Sequence, residues 1–492
     1  MIKYKQVTAI ICLLSALSCL NACGDNSEQP KETTGIPTES ESVAETAEQI
    51  LYSASYLPDA DYEGYLFRTV SVTDYPTHVE EADGDVVNDA YYKRNQIIEE
   101  RYNMEFQETY VANYDEMTKT FKKSAMAASN DFDLCRLIMR DAFSLAQQGY
   151  ILPVEELPYV DITQPWYVQY VNQELTINDK LIFAYSDECI NAFESTMCVI
   201  FNKKLIADVG LQSPYQMVDD GTWTIDAFFE MAQEAIADLN NDGKYGIQED
   251  RWGIIATHDS ILPSMWLGAG MKTVELQEGI PVFTAPQNEK LITLLGKVYD
   301  YWTEKGMCYD AYLSEGYVGE YALNAIAQFA NDGALFTVNG FSAVSLLRNM
   351  ESDFGIVPTP KFDETQEEYY GRLIDGWINV PLYCCENPER TSVIMEALAV
   401  ESKNYVIPAI YEKSIKDKCL RDEESIRMLE VIQKNKIIDL GDTVWMDPIR
   451  NLFMDCYRKK KPDFASAMEK KIKLVNKTIE KAVEALSESS GT

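Results

Sequence analysis

GYLFRTVS at 64–71, VVNDAYYKRNQIIEERY at 86–102, MEFQETYV at 104–111, YDEMTKTFKKSAMAA at 114–128 and FDLCRLI at 132–138 follow one another in this chain. The first, third and fifth are rich in β-branched and aromatic residues and read as strands. The second and fourth place apolar residues at helical spacing and read as amphipathic helices. A βαβαβ order predicts an α/β fold with a mainly parallel sheet and right-handed crossovers. Further apolar runs at 180–185, 196–202, 334–338, 355–358 and 377–383 continue the theme. Helical periods intervene at 225–239, 289–305, 320–331, 390–405 and 463–486.

The chain has 492 residues, a length that suggests two or three domains. Its 79 acidic and 43 basic residues leave a net charge of −36. That surplus argues against nucleic acid, or anionic lipid, binding to a basic surface. The only histidines are His78 and His258, so zinc sites built on several His ligands are excluded, and a Ser-His-Asp triad has two candidate bases. Eleven cysteines are present, including the adjacent pair Cys384 and Cys385, with no CxxC spacing; buried free thiols are expected.

Upstream, Lys3 and Lys5 precede an apolar run at 7–20, too short and too interrupted to span a bilayer. Residues 1–22 therefore read as a signal peptide. LNAC at 20–23 resembles a bacterial lipobox, in which the cysteine, here Cys23, is lipidated and becomes the new N-terminus; Asn21 departs from the small residue usual there. Residues 24–49 hold seven acids and one lysine with almost nothing large and apolar. Such a composition stays disordered, so 23–59 is expected to be an acidic tether holding a folded body at the extracellular face of a cell membrane.

DLNNDGKYGIQE at 238–249 fits the twelve-residue calcium loop D-x-[DN]-x-[DN]-G-x5-E at every defined position. Asp238, Asn240 and Asp242 would supply side-chain oxygens, Lys244 a backbone carbonyl and Glu249 a closing carboxylate for a structural Ca2+.

The lipobox, DVVNDAYYKRNQIIEERYN at 85–103, DGTWTIDAFFEMAQEAIADLNNDGKYG at 220–246 and FGIVPTPKFDETQEEYYGRLIDGWINVP at 354–381 together resemble the family 1 extracellular solute-binding proteins. These are the substrate-capturing lipoproteins of bacterial ABC importers, and the calcium-like loop is common in their sugar-binding branch. The resemblance implies a two-lobe periplasmic-binding-protein-like fold with hinge-crossing strands. Lobe one would hold 60–188 and 322–377, and lobe two 189–321 and 378–492. It also implies a monomer without catalysis that closes on a carbohydrate, in particular an oligosaccharide. The closed form would be delivered to permease subunits, with the lipid anchor the sole membrane contact.

Ligands of open α/β sheets bind beyond the carboxyl ends of the strands. Candidate contacts in those loops are Asp74, Tyr75, Arg140, Asp141, Asp187, Glu188, Glu194, Asn339 and Trp377, with Trp266 from a later segment. Aromatic faces suit the C–H face of a pyranose, while carboxylates, amides and guanidiniums bond its hydroxyls. Arg140 and Asp141 equally suit a local ion pair. A peptide-binding or sensor protein of the same fold is the nearest alternative. A glycoside hydrolase using Glu188 and Glu194 is a more distant one.

Overall fold

A computed structural model describes residues 51–488 other than 74, 312–320, 375 and 417–419. The signal peptide, Cys23, most of the tether and Asp74 lie outside the described residues. In chain order the strands are β1 (Tyr65–Val72), β2 (Met104–Val111), β3 (Leu134–Ile138), β4 (Met197–Asn202), β5 (Trp252–Ala256), β6 (Val274–Gln277) and β7 (Ile280–Phe283). They continue with β8 (Cys308–Asp310), β9 (Ala334–Gly340), β10 (Phe354–Val357), β11 (Gly371–Arg372), β12 (Trp377–Val380) and β13 (Lys436–Ile437).

The first sheet has the order β12-β3-β1-β2. The βαβαβ reading holds: β1 pairs in parallel with β2 and with β3. Helix α1 (Val86–Tyr102) begins where the Asp85 carboxylate accepts the amides of Val87 and Asn88. It ends where Asn103 turns left-handed. Helices α2 (Tyr114–Ala127) and α3 (Met139–Ala146) follow β2 and β3. Strand β12 then joins from far along the chain, antiparallel to β3, with Trp377 opposite Ile138. The helix at Pro388–Glu401 seals this lobe, burying Val393, Ile394 and Leu398 with Phe67, Ile98, Tyr102 and Trp166.

The second sheet has the order β10-β4-β9-β5-β8. Strand β4 lies between β10 and β9, antiparallel to both, and β5 is parallel to β9 and β8. Its core includes Trp223, Phe228 and Phe336.

Two sheets in one chain confirm the two-lobe architecture, but the segments divide otherwise than expected. Residues 334–357, assigned to lobe one, supply β9 and β10 of the second sheet. Residues 378–401, assigned to lobe two, complete the first lobe. An apolar strand announces its burial, not the sheet that buries it. The run at 180–185 is also not a strand. The side chain of Asn172 accepts from Tyr185 N at 2.7 Å and donates to Tyr185 O at 3.0 Å, serving the backbone groups a neighbouring strand would have served.

The lobes are instead linked by segments near 193–196 and 373–374. Thr196 and Leu373 form an antiparallel bridge, and Ile374 N donates to Ser195 O at 3.4 Å. Among the described residues no helix is long and apolar enough to cross a membrane.

Candidate functional site

The paired crossing segments lead directly into Trp377, which opens β12, and into Met197, which opens β4. Trp377 lies opposite the last residue of β3, and Met197 opposite Gly340, the last residue of β9. The carboxyl ends of β3 and β9 therefore meet the same crossing, and the loops beyond them border one interlobe site.

On the lobe-one side, Tyr75 follows β1 and stacks obliquely on Trp377, with ring centroids 5.4 Å apart and planes 31° apart. Tyr75 is half-buried and Trp377 is 8% exposed. Arg140 and Asp141 occupy the first turn of α3, their charged groups 4.0 Å apart. Asp141 also accepts from Thr118 at 2.7 Å, and Arg140 lies over the Tyr114 ring.

Asp187 stands at the approach to the crossing, 3.0 Å from Lys403. Burial pushes its carboxyl up, opposed by Lys403 and Lys436. Burial also holds Lys436 down at about 8. Glu194, on the crossing itself, is half-buried and likewise pushed up by burial, with Lys413 opposing. Its carbonyl accepts from Ser342 N at 3.0 Å, tying the crossing to the loop after β9. Asn339 is nearly buried there and donates to Thr337 at 2.8 Å.

Two expected contacts are placed elsewhere. Glu188 is 3% exposed and bonds the guanidinium of Arg136, with Arg94 at 3.9 Å. It neutralises a buried charge cluster beneath the site, because the two arginines need a counter-ion out of water. Trp266 is 1% exposed in the helix His258–Gly268, packed edge-on against Phe453. An apolar helix facing a lobe core explains its burial.

Several residues at the interlobe boundary carried no expectation. Phe143 of α3 meets Trp445 edge-on at 5.6 Å, Phe193 meets Tyr411 at 4.8 Å, and Glu174 pairs with Lys272. Trp445 precedes an Asp447-Pro448 turn, which was the available signal. Of the two histidines, His258 is fully buried, its Nδ1 facing Asp310 at 2.8 Å and its Nε2 accepting from Arg458 at 3.1 Å.

The acidic loop is closed at its base by reciprocal 3.0 Å backbone bonds between Ala237 and Arg251. This bridge, with Arg251 Nε on Ala235 O, ends the preceding helix at Ala235 rather than at 239. Asp238 accepts the amides of Asp242 and Gly243, Asn240 that of Asp242, and Asp242 that of Lys244. A Cβ at Gly246 would collide with Glu249 Oε2, so the Glu249 carboxylate lies over the turn. Among the described residues no three His, Cys, Asp or Glu side chains form a metal cluster. An all-oxygen donor set on a loop already bent by its own amides nevertheless fits a hard cation.

The profile of the bacterial extracellular solute-binding proteins matches residues 94–399. No curated protein sequence gives a match. Among solved structures, a cyclo/maltodextrin-binding protein complexed with maltotetraose is similar over 88% of this chain and 99% of its own, at 16% identity and a TM-score of 0.55. The maltose/maltodextrin-binding domain MalE from Bdellovibrio bacteriovorus, bound to maltotriose, aligns over 87% and 100%, at 14% identity and a TM-score of 0.50. CpMnBP1 with mannotriose bound aligns over 86% and 100%, at 16% and 0.51.

Proposed function

This chain belongs to the bacterial extracellular solute-binding proteins, and we propose that it captures a carbohydrate, in particular an oligosaccharide, for an ABC importer. The observation that carries the reading is the Tyr75–Trp377 pair beside the interlobe crossing. Tyr75, half-buried over the nearly buried Trp377, offers an aromatic edge where a sugar ring would meet both lobes. That similar folds are recorded with maltotetraose, maltotriose and mannotriose supports the same ligand class. The protein acts as a receptor rather than a catalyst: closure on the ligand selects the form presented to the permease. Glu188 is committed to its arginines, which removes one of the two carboxylates a hydrolase reading would use.

The test is a thermal-shift screen of the chain from residue 23 against mono- and oligosaccharides, amino acids and short peptides. A ligand that binds only the folded state raises the melting point by mass action. An oligosaccharide that stabilises and remains uncleaved is the expected result. A peptide hit with a flat sugar panel would overturn the carbohydrate assignment, and cleavage would overturn the receptor assignment.

Two further parts belong to this reading. Cys23 carries the lipid that holds the body at the extracellular face of the membrane; metabolic labelling with palmitate, lost in Cys23→Ala, tests it. The loop at 238–249 holds Ca2+ through Asp238, Asn240, Asp242, the Lys244 carbonyl and Glu249, and the ion locks a corner of lobe two.

A further inference from the structure

The last two helices and the turn between them carry a small net charge opposite in sign to that of the whole chain. The helix Arg450–Arg458 is followed by a short turn and the 25-residue helix Phe464–Glu488. Residues 458–488 contain nine basic and five acidic side chains, a local surplus of four positive charges in a chain whose total is −36.

The inner side of the long helix is fixed by packing: Phe464, Met468, Val475, Ile479, Ala482 and Leu486 are all buried. Its outer side presents Lys470, Leu474, Lys477 and Lys481, spaced four, three and four residues apart and therefore on one face, with Glu480 and Glu484 at its edge. The leucine and its three lysines are exposed, with Lys471 and Lys473 exposed beside them. Leu474, a large apolar side chain, is 52% exposed in the middle of this stripe. Arg458 and Lys459 are engaged by Asp259 and Asp455. The five lysines from 470 to 481 lie within ion-pair distance of no carboxylate among the described residues. A groove beside them, between the two helices, is lined by Lys459, Lys461, Lys470 and Lys471 together with Asp455 and Asp463.

A row of unneutralised lysines around one exposed leucine is the pattern of a helix that lies on an anionic bilayer: the ammonium groups meet phosphate and the leucine enters the headgroup region. The net charge does not prevent this. At physiological ionic strength, charges beyond about 8 Å are largely screened, so a surface approaching this face experiences its local surplus of lysines over Glu469, Glu480 and Glu484 more than the acids elsewhere on the body.

We propose that the face formed by Lys470, Lys471, Lys473, Leu474, Lys477 and Lys481 docks on the anionic phospholipid surface of the cell membrane, orienting the body upon it. This extends the surface location given above, and it replaces the expectation that the lipid anchor is the sole membrane contact.

The experiment uses the chain from residue 23 with Cys23→Ala, so that no lipid is attached. Its binding to vesicles of equimolar phosphatidylglycerol and phosphatidylcholine is compared with binding to phosphatidylcholine alone, by co-sedimentation at low and high salt. Salt-sensitive binding to the anionic vesicles is expected, reduced about tenfold or more by K470E/K477E/K481E. Leu474→Ser should weaken it further at fixed charge. All three lysines are exposed, so the variant should keep the parent's melting point, which serves as the folding control. Equal binding to both vesicle types, no binding, or an unchanged affinity in the folded triple variant would each overturn the proposal. Binding to soluble polyphosphate without binding to vesicles would also overturn it, by identifying a soluble polyanion as the partner. The assay contains no sugar, and the sugar screen contains no vesicles, so either reading can fail alone.

Discussion

At the residue scale, the most consequential groups are charges held out of water. Glu188 sits between Arg136 and Arg94, both almost fully buried. Burial disfavours both cations; the adjacent Glu188 carboxylate outweighs it at Arg136, which is raised, but not at Arg94, which stays lowered. Glu188→Ala would strand two guanidiniums, and a loss of about 3–5 kcal/mol is expected by chemical denaturation. Asp439 is fully buried and accepts from Thr273 N and Oγ1, Val274 N and Gly441 N. Burial pushes its carboxyl up to about 6 from 3.8. The folded state thus binds a proton that the unfolded state does not between about pH 6 and 4. Stability from this residue rises as pH falls through that window, by about 3 kcal/mol at most. The melting point of the parent relative to Asp439→Asn should climb as pH falls from 7 to 4; parallel curves would refute this. Side-chain identity alone could not separate Glu188 and Trp266 from contact residues. A carboxylate beside a strand end reads alike whether it faces a ligand or a buried arginine.

At the element scale, the local rules were largely sufficient. The Asp85 and Thr224 caps start their helices where a hydroxyl or carboxylate can accept the first-turn amides. Strand β4, at 197–202, and the long helix from 464 follow the expected periods. The failures came from partners just outside the span of each element: the Asn172 side chain at 180–185, and the Arg251 bridge that ends the 225 helix early. That bridge makes the acidic turn a stem-closed unit, which gives the calcium proposal a sharp test. Chelation should lower the melting point of the parent, and Asp242→Ala should remove that sensitivity. The same melting point with and without chelator in the parent would leave the loop without a metal. The Asp238 and Asn240 bonds to backbone amides would then be its entire structural role.

For the whole molecule, the solute-binding architecture was legible from alternating strands and helices together with the family motifs, but the allocation of segments to lobes was not. Strands β9 and β10 are as apolar as those of the first sheet, and only pairing reveals their sheet. The crossing bridge at Thr196 and Leu373 places Tyr75 and Trp377 beside both lobes. Removing both aromatic faces, in Tyr75→Ala with Trp377→Ala, should weaken sugar binding by about tenfold or more in calorimetry. A ligand that closes the lobes should also reduce the radius of gyration in solution scattering; an unchanged radius at saturation would argue against hinge closure.

The first lobe is finished by β12, which begins at Trp377, and by the helix from Pro388, long after its other strands end at Ile138. As the chain emerges from its N-terminus, Phe67, Ile98, Tyr102 and Trp166 are made long before the side chains that cover them. A fragment ending near residue 190 would therefore be a sticky intermediate. Long-range closure of this kind slows folding and prolongs exposure to aggregation. The first lobe therefore cannot complete its core until the chain has been made through Glu401.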